Sequence, residues 1–373
     1  MSEPNVTSPT DTQEPPKWLR ALRSLRDRRM LAMLLLALAA GLPYGAVLGT
    51  LTAWLTQEGV TPSTIGVLSI ITLGYSYKYL WAPLFQTPKS PPFLKFGARR
   101  SWLILFQVPM AILLAVLALS HPAENIGFVA IIALIIALLS ATHDIVLDAW
   151  RIEVARTDED KDLMAALYQF GYRSALFITG FVALLMAARV GWALVYCFIG
   201  LMMLLAVAGT LIAPEPVTSA ETEAERTTFQ AGIPRQTRDL TALIVAIGWL
   251  IAAIMIGRFM VASFTEQPPP NPGAFVRDQG PWIVGLTVIL PALLSTFMLI
   301  RFRVKPMPMV IAPKSATRFE KTLATLFRAI FDPLMELIGR LKWGALLVLL
   351  LALTYRFADS VWGAFAYPFY LDD

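Results

Sequence analysis

Cysteine is almost absent from this chain, and histidine is nearly so. The one cysteine, Cys197, lies inside an apolar run, so an intrachain disulfide and paired-cysteine zinc motifs are excluded. Two histidines, His121 and His143, are too few for a multi-histidine metal site. Charge is also scarce, at 15% of 373 residues, against about 25% in an ordinary soluble domain. GxSxG, HExxH and P-loop motifs are missing, and the sequence calls for no cofactor and no metal. Met1 to Pro16 is polar and acidic, without the apolar stretch of a secretory signal.

Apolar sequence is what remains. Hydrophobic residues make up 57% of the chain, and mean hydropathy is +0.62. Runs of about 20 apolar residues, the length that spans a bilayer as a helix, recur along it. The fold class is therefore all-α, a polytopic membrane helical bundle. Nucleic-acid binding and soluble enzyme folds are excluded, and membrane lipid is the first expected partner. Nine segments are legible: Met30–Thr56, Ser63–Gln86, Ser101–Ser120, Ile126–Trp150, Leu163–Ala188, Gly191–Ala213, Leu240–Ala262, Trp282–Ile300 and Trp343–Leu371.

They divide the chain into a cytoplasmic tail (1–29), a six-helix bundle (30–213), a linker (214–239), an extra apolar pair (240–300), a basic interfacial stretch (301–342) and a last apolar segment (343–373). Lysine and arginine set the orientation. The tail carries six and the stretch after Ile300 carries nine, whereas the loops after segments one and three carry none. The positive-inside rule puts the N-terminus in the cytoplasm, provided that the extra pair crosses the membrane. Trp18, Leu19, Leu22 and Leu25 alternate with arginines, as in a basic helix lying on a membrane face. Phe319, Leu323, Leu326, Phe327, Ile330 and Leu334 recur at helical spacing and read as a surface connector or a regulatory binding site.

Ionisable groups inside the apolar segments are the candidates for function. On the lenient insertion scale each costs about 2.5–3.5 kcal/mol, so they face a bundle interior or a water-filled cavity. Lys78 is in segment two, His143, Asp144 and Asp148 near the end of segment four, and Arg173 in segment five. Asp144 and Asp148 are spaced i,i+4 and share a helix face. Their depths from the cytoplasmic side, roughly 10–15 Å at 1.5 Å per residue, let Lys78, Asp144 and Arg173 meet in one layer. Arg356 and Asp359 fall in the last segment. Two uses remain open: salt bridges that lock helices, or the handling of a solute and protons. His143 either titrates near neutral pH or packs as a neutral ring. Tyr44, Tyr75, Tyr77, Gln169 and Tyr172 are polar-tipped residues that line a cavity or anchor helix ends. Gly41, Gly45 and Gly49 form overlapping GxxxG units around Pro43 for close packing or a hinge. A membrane-embedded enzyme using Asp144 and Asp148 lacks a nucleophile or ligand set.

Several stretches resemble a known family. They are Gly41-Leu42-Pro43, Leu51-Thr52-Ala53-Trp54-Leu55, Lys78 with Tyr79-Leu80-Trp81-Ala82-Pro83-Leu84, Gly97-Ala98-Arg99-Arg100-Ser101-Trp102, Ser140 to Trp150, Gly171-Tyr172-Arg173 and Ala213-Pro214-Glu215-Pro216. Together the first half is similar to the AmpG-type muropeptide permeases of the major facilitator superfamily, which are related to acetyl-CoA transporters. Tyr355-Arg356-Phe357-Ala358-Asp359 resembles the family's seventh-helix motif. The resemblance implies a bacterial inner-membrane transporter importing anhydromuropeptides with protons. It assigns Lys78, His143, Asp144, Asp148, Gln169, Tyr172, Arg173, Arg356 and Asp359 to binding and coupling, and Gln86, Arg99, Arg100 and Arg151 to gating. Gln86 stands where the superfamily carries an Asp, and Thr142-His143-Asp144 replaces Ser-Gln-Asp. The last segment reads as the opening helix of a second bundle whose remainder is missing. The alternatives are a carrier for another anionic solute, an acyl-CoA or an oligosaccharide, or a non-transporting half of a split carrier.

Overall fold

The computed structural model describes residues 24–60, 75, 77–85, 90–122, 124–216, 227–229, 232–266, 270–305, 307–308, 317–342 and five positions between 344 and 351. Eight helices carry the description. They are α1 (Arg28–Gln57), α2 (Ala98–Ala118), α3 (Ile126–Val154), α4 (Asp158–Val190), α5 (Trp192–Ile212), α6 (Arg235–Thr265), α7 (Pro272–Val284, continued through Gly285–Ile289 and Leu290–Phe302) and α8 (Arg318–Leu341). Seven of these, α1 to α7, are long and apolar enough to cross a membrane, and the chain is a multi-pass membrane protein. The one strand pairing described is a two-residue ladder, β1 (Thr227–Thr228) antiparallel to β2 (Met307–Pro308). Two compact units form: residues 1–78 with 87–216, and residues 79–86 with 217–373.

The first unit is built on the contact of α1 with α4. A methyl group added at Gly41 would fall 2.7 Å from the Tyr172 carbonyl oxygen, and one at Gly171 would fall 2.8 Å from the Leu34 oxygen. Gly45 lies as closely on Thr179, whose Cβ would be 2.9 Å away. Backbones this close are what small-residue spacings permit. Gly49, the third glycine of the stripe, has nothing within 4 Å. Both helices widen into a π-helical turn at the same level, Ala46–Thr50 and Ile178–Val182. The Thr50 hydroxyl donates across to the Thr179 carbonyl at 2.7 Å.

Ion pairs and caps finish the polar end of this unit. The Arg29 guanidinium donates to Asp27, to Asp160 at 2.6 Å and to the Val154 carbonyl at 3.2 Å, joining the starts of α1 and α4 to the end of α3. Its hydrogen bonds hold the Asp27 carboxyl below the usual carboxylate range. Thr157 caps α4, accepting from the Asp160 N–H at 3.1 Å, ahead of an acidic first turn that suits the helix dipole. Gly97, at φ +98°, opens α2. No side chain on Gly97 caps that helix; the Glu215 carboxylate does so instead, accepting from the N–H groups of Arg99 (2.8 Å) and Arg100 (3.1 Å).

The structure departs from the sequence reading in three places. Segment two is not one helix over its described part: Lys78–Leu80 and Ala82–Phe85 are 3₁₀ turns. Pro83 has no N–H to give and restricts the residue before it, which disfavours a regular α-helical ladder at that point. The eighth segment begins at Pro272, ten residues before the expected Trp282, because Asn271 accepts from the N–H groups of Gly273 (2.8 Å) and Ala274 (3.2 Å). That cap, with proline at the first position, starts a helix in sequence that reads as a loop. Third, the apolar face of α8 is not left on a membrane surface. Phe327, Phe331 and Met335 are buried with Ala242 and Val245 of α6, Met298 of α7, and Phe229 and Ile233. Asp332 ties this layer down by accepting from the Phe229 N–H at 3.1 Å. Residues 17–23 of the basic tail, the Phe319 side chain and most of the last apolar segment lie outside the described residues.

Two outcomes follow. Gly45→Ala is expected to destabilise the bundle by about 1–3 kcal/mol through overpacking. Gly49→Ala, in open space, is expected to be neutral or stabilising by up to about 1 kcal/mol. Thermal unfolding in detergent separates them, and equal effects would refute the α1–α4 contact. Cysteine placed at Asn271 in a Cys197→Ser background is expected to react with an impermeant reagent from outside the cell. Reaction only from the cytoplasmic side would remove α6 and α7 as a crossing pair.

Candidate functional site

Asp144 is the centre of the polar interior of the first unit. It sits on α3 at 7% exposure, and the Lys78 ammonium donates to its Oδ2 at 3.2 Å. Lys78 comes from the first 3₁₀ turn of segment two. Beside them His143 is fully buried. Its Nδ1 faces Asp144 Oδ1 at 3.9 Å, and its Nε2 is 3.0 Å from the side-chain nitrogen of Gln107 on α2. The Gln107 oxygen accepts from the Thr210 hydroxyl of α5 at 2.8 Å. A polar chain thus runs from α5 through α2 and α3 to segment two.

Tyrosines border the pair. Tyr44 of α1 meets Tyr75 edge-on at 4.9 Å and Tyr172 of α4 at 6.2 Å, and Tyr172 stacks on Tyr168 at 5.9 Å. The Arg151 guanidinium covers Tyr168 at 5.4 Å and pairs with Asp148 at 3.0 Å. Such rings offer apolar faces with polar tips, suited to a solute carrying both kinds of surface.

The sequence candidates therefore part company. Lys78, His143 and Asp144 come together, and Tyr172 lies beside them through Tyr75. Asp148 points toward the polar end with Arg151. Arg173 does not join the layer. It is exposed on α4, as is Gln169, and among the described residues no ion pair links it to Asp144. The reason is angular: one residue past Tyr172 turns a helix by about 100°, carrying Arg173 off the face that Tyr168 and Tyr172 present. Of the gating candidates, Arg99 donates to Glu153 of α3 at 2.8 Å, and Arg100 donates to the Ala213 carbonyl at 3.2 Å. Gln86, Arg356 and Asp359 lie outside the described residues. Sequence reasoning missed Gln107, Thr210 and Glu215 as partners. An uncharged glutamine in mid-segment was the signal available for the first. Among the described residues no group of three or more His, Cys, Asp or Glu could hold a metal.

Magnitudes say what the ion pair does. At 4 Å and an effective dielectric near 20, opposite charges gain about 4 kcal/mol. Placing two charges among apolar helices costs about 2.5–3.5 kcal/mol each. The pair therefore adds little net stability, whereas one partner alone is expensive. Asp144→Asn and Lys78→Met are each expected to destabilise the protein, and the double variant to recover most of the loss. A coupling of about 1–3 kcal/mol in the cycle is expected from denaturation in detergent; strict additivity would mean that the pair does not form.

Comparison with known proteins comes to the same region. The family model described as Acetyl-coenzyme A transporter 1 matches residues 29–133. The anhydromuropeptide permease of Escherichia coli K12 is 36% identical over 196 residues, covering 52% of this chain and 39% of that protein. An uncharacterised Haemophilus influenzae protein is 37% identical over 227 residues, covering 60% and 52%. The putative transporter AmpG 4 of Rickettsia conorii is 31% identical over 190 residues, covering 50% and 46%. The chain thus spans about half the length, or less, of the curated relatives it matches. Over the part that matches, the chain is similar to AmpG-type permeases and to the family described by the acetyl-CoA transporter.

Proposed function

We propose that the chain is part of a proton-coupled solute transporter of the bacterial inner membrane, its N-terminus cytoplasmic, that imports anhydromuropeptides. The observation carrying this reading is the Lys78–Asp144 pair, an ion pair of small net stability inside apolar helices. A charged group kept there at such cost serves traffic better than packing. Lys78 is the group that meets an anionic part of the solute, such as a peptide carboxylate. Asp144 is the group that takes the proton when Lys78 leaves it. Tyr44, Tyr75, Tyr168 and Tyr172 supply the wall against which the rest of the solute lies. Arg99 with Glu153, and Glu215 on the start of α2, close the cytoplasmic end and release it as the helices tilt. The relative named anhydromuropeptide permease supports the substrate, and relatives named as permeases and transporters speak against an enzyme.

One observation favours a second solute. The family model that matches residues 29–133 is described by acetyl-coenzyme A, also an anion that Lys78 would meet. Uptake of labelled anhydromuropeptide and of labelled acetyl-CoA into vesicles from cells producing the chain separates the two. Saturable, proton-gradient-dependent uptake of the muropeptide is expected, falling at least tenfold in Asp144→Asn. Uptake of acetyl-CoA alone would overturn the muropeptide assignment, and uptake unaffected by collapsing the gradient would overturn proton coupling.

A further inference from the structure

We infer that Gln107 and Thr210 are positioning residues that act through His143, holding its imidazole neutral with the proton on Nδ1. His143 is then a fixed hydrogen-bond donor to Asp144 and not a proton carrier. This rests on the reading of Asp144 as the proton site.

Donor counting gives the tautomer. With the Gln107 oxygen turned toward Thr210, the Thr210 hydroxyl donates to it at 2.8 Å, its other acceptor, the Ala206 carbonyl, lying farther off at 3.3 Å. The Gln107 nitrogen can only donate, so His143 Nε2, 3.0 Å away, is a bare acceptor. The ring proton is therefore on Nδ1. A second proton, on Nε2, would set two donors face to face at that distance. His143, Gln107 and Thr210 are all 0% exposed, so solvent does not reach Nε2.

The other end of the ring shows what the lock is for. His143 Nδ1 and Asp144 Oδ1 are both buried and have no hydrogen-bond partner. They face each other at 3.9 Å, about 1 Å beyond hydrogen-bond length. A small side-chain rotation closes the gap. The two carboxylate oxygens then have separate partners, Oδ1 the neutral Nδ1–H and Oδ2 the Lys78 ammonium. In the transport step one proton enters and binds Oδ2. Lys78 stays protonated, leaves Asp144 and meets the anion of the solute. The reverse exchange returns the proton on the cytoplasmic side. Throughout, Nδ1–H keeps the carboxyl aimed and favours its ionised form.

The surrounding groups are consistent with a neutral ring. Asp144 and Asp148 come from α3 itself, Lys78 and Tyr75 from segment two, Tyr44 from α1, and Tyr168 and Tyr172 from α4. At this level α2 and α5 offer only the uncharged Gln107 and Thr210, since Arg99 of α2 is engaged with Glu153 farther along. The negative charge nearest the ring is already matched by Lys78.

With only two histidines in the chain, the test is spectroscopic. His121→Asn leaves one imidazole, and ¹⁵N-histidine NMR of that protein in nanodiscs reads its tautomer and charge directly. The expected result at neutral pH is an Nδ1–H ring with a bare Nε2. Gln107→Leu is expected to give mixed tautomers. The near-isosteric Thr210→Val frees the amide to turn, giving a partial Nε2–H population. An Nε2–H tautomer or an imidazolium in the protein that keeps Gln107 and Thr210 would overturn the inference, as would an Nδ1–H ring unchanged in both variants. Where uptake is measured, Thr210→Val is expected to change its pH profile, because part of the population no longer presents Nδ1–H to Asp144. An absence of uptake in the parent protein bears on the transport reading alone, because the spectra report the ring with or without it.

Discussion

One carboxylate in an apolar helix sets the terms for the first unit. Asp144 has almost no contact with solvent, so its charge must be met by protein. Lys78 meets it from a segment whose regular α-helix Pro83 disfavours. Breaking the helix has a use here. A 3₁₀ turn frees backbone from the α-helical register and lets a long side chain reach across to α3. Beside the same charge, a glutamine and a threonine from two further helices are committed to one nitrogen of the His143 ring.

Close packing supplies the frame that keeps these groups in register. Gly41, Gly45 and Gly171 let α1 and α4 approach at backbone contact, and the matching π-helical turns keep Thr50 and Thr179 opposite one another. Each π turn inserts a residue into the ladder, which rotates the downstream half of the helix against the upstream half. On α1 that change comes two residues after Tyr44, and on α4 six residues after Tyr172. The tyrosine wall thus hangs on the regular part of both helices, where small residues fix the spacing. Packing, not hinging, is what Gly41 and Gly45 do in this arrangement, while Gly49 has no contact to preserve.

Much of this was legible in the sequence because bilayer length and charge depth are one-dimensional quantities. Runs of apolar residues gave the helices, and counting residues from the polar end put Lys78 and Asp144 at one level. What counting could not give is the angle around a helix when its neighbours are unknown. Arg173 has the right depth and the wrong face. Caps were lost for a related reason: Asn271 and Glu215 act on backbone N–H groups, and no periodicity announces which carboxylate will come back to which helix start. The amphipathic pattern of α8 was read as a surface connector or a regulatory binding site, because a pattern does not say whether lipid or protein covers the apolar face. In this case α6 and α7 do. Gln107 and Thr210 are uncharged, so a search for ionisable groups passed over them, although a buried amide needs partners almost as strictly as a charge does.

The polar end and the interior site are joined by a single rigid element. Asp144, Asp148, Arg151 and Glu153 all lie on α3, and from Asp144 to Glu153 the helix rises by about 13 Å. Trp150, on the same helix, donates to the Pro214 carbonyl at 2.9 Å, next to the glutamate that caps α2. A tilt of α3 that lengthens the Lys78 contact therefore also strains the Arg99–Glu153 pair and the Trp150 bond, because an α-helix does not stretch over so few turns. Breaking a bidentate arginine–carboxylate contact is a discrete event with its own threshold. The contacts of the interior site and those of the polar end are thus carried on the same rod.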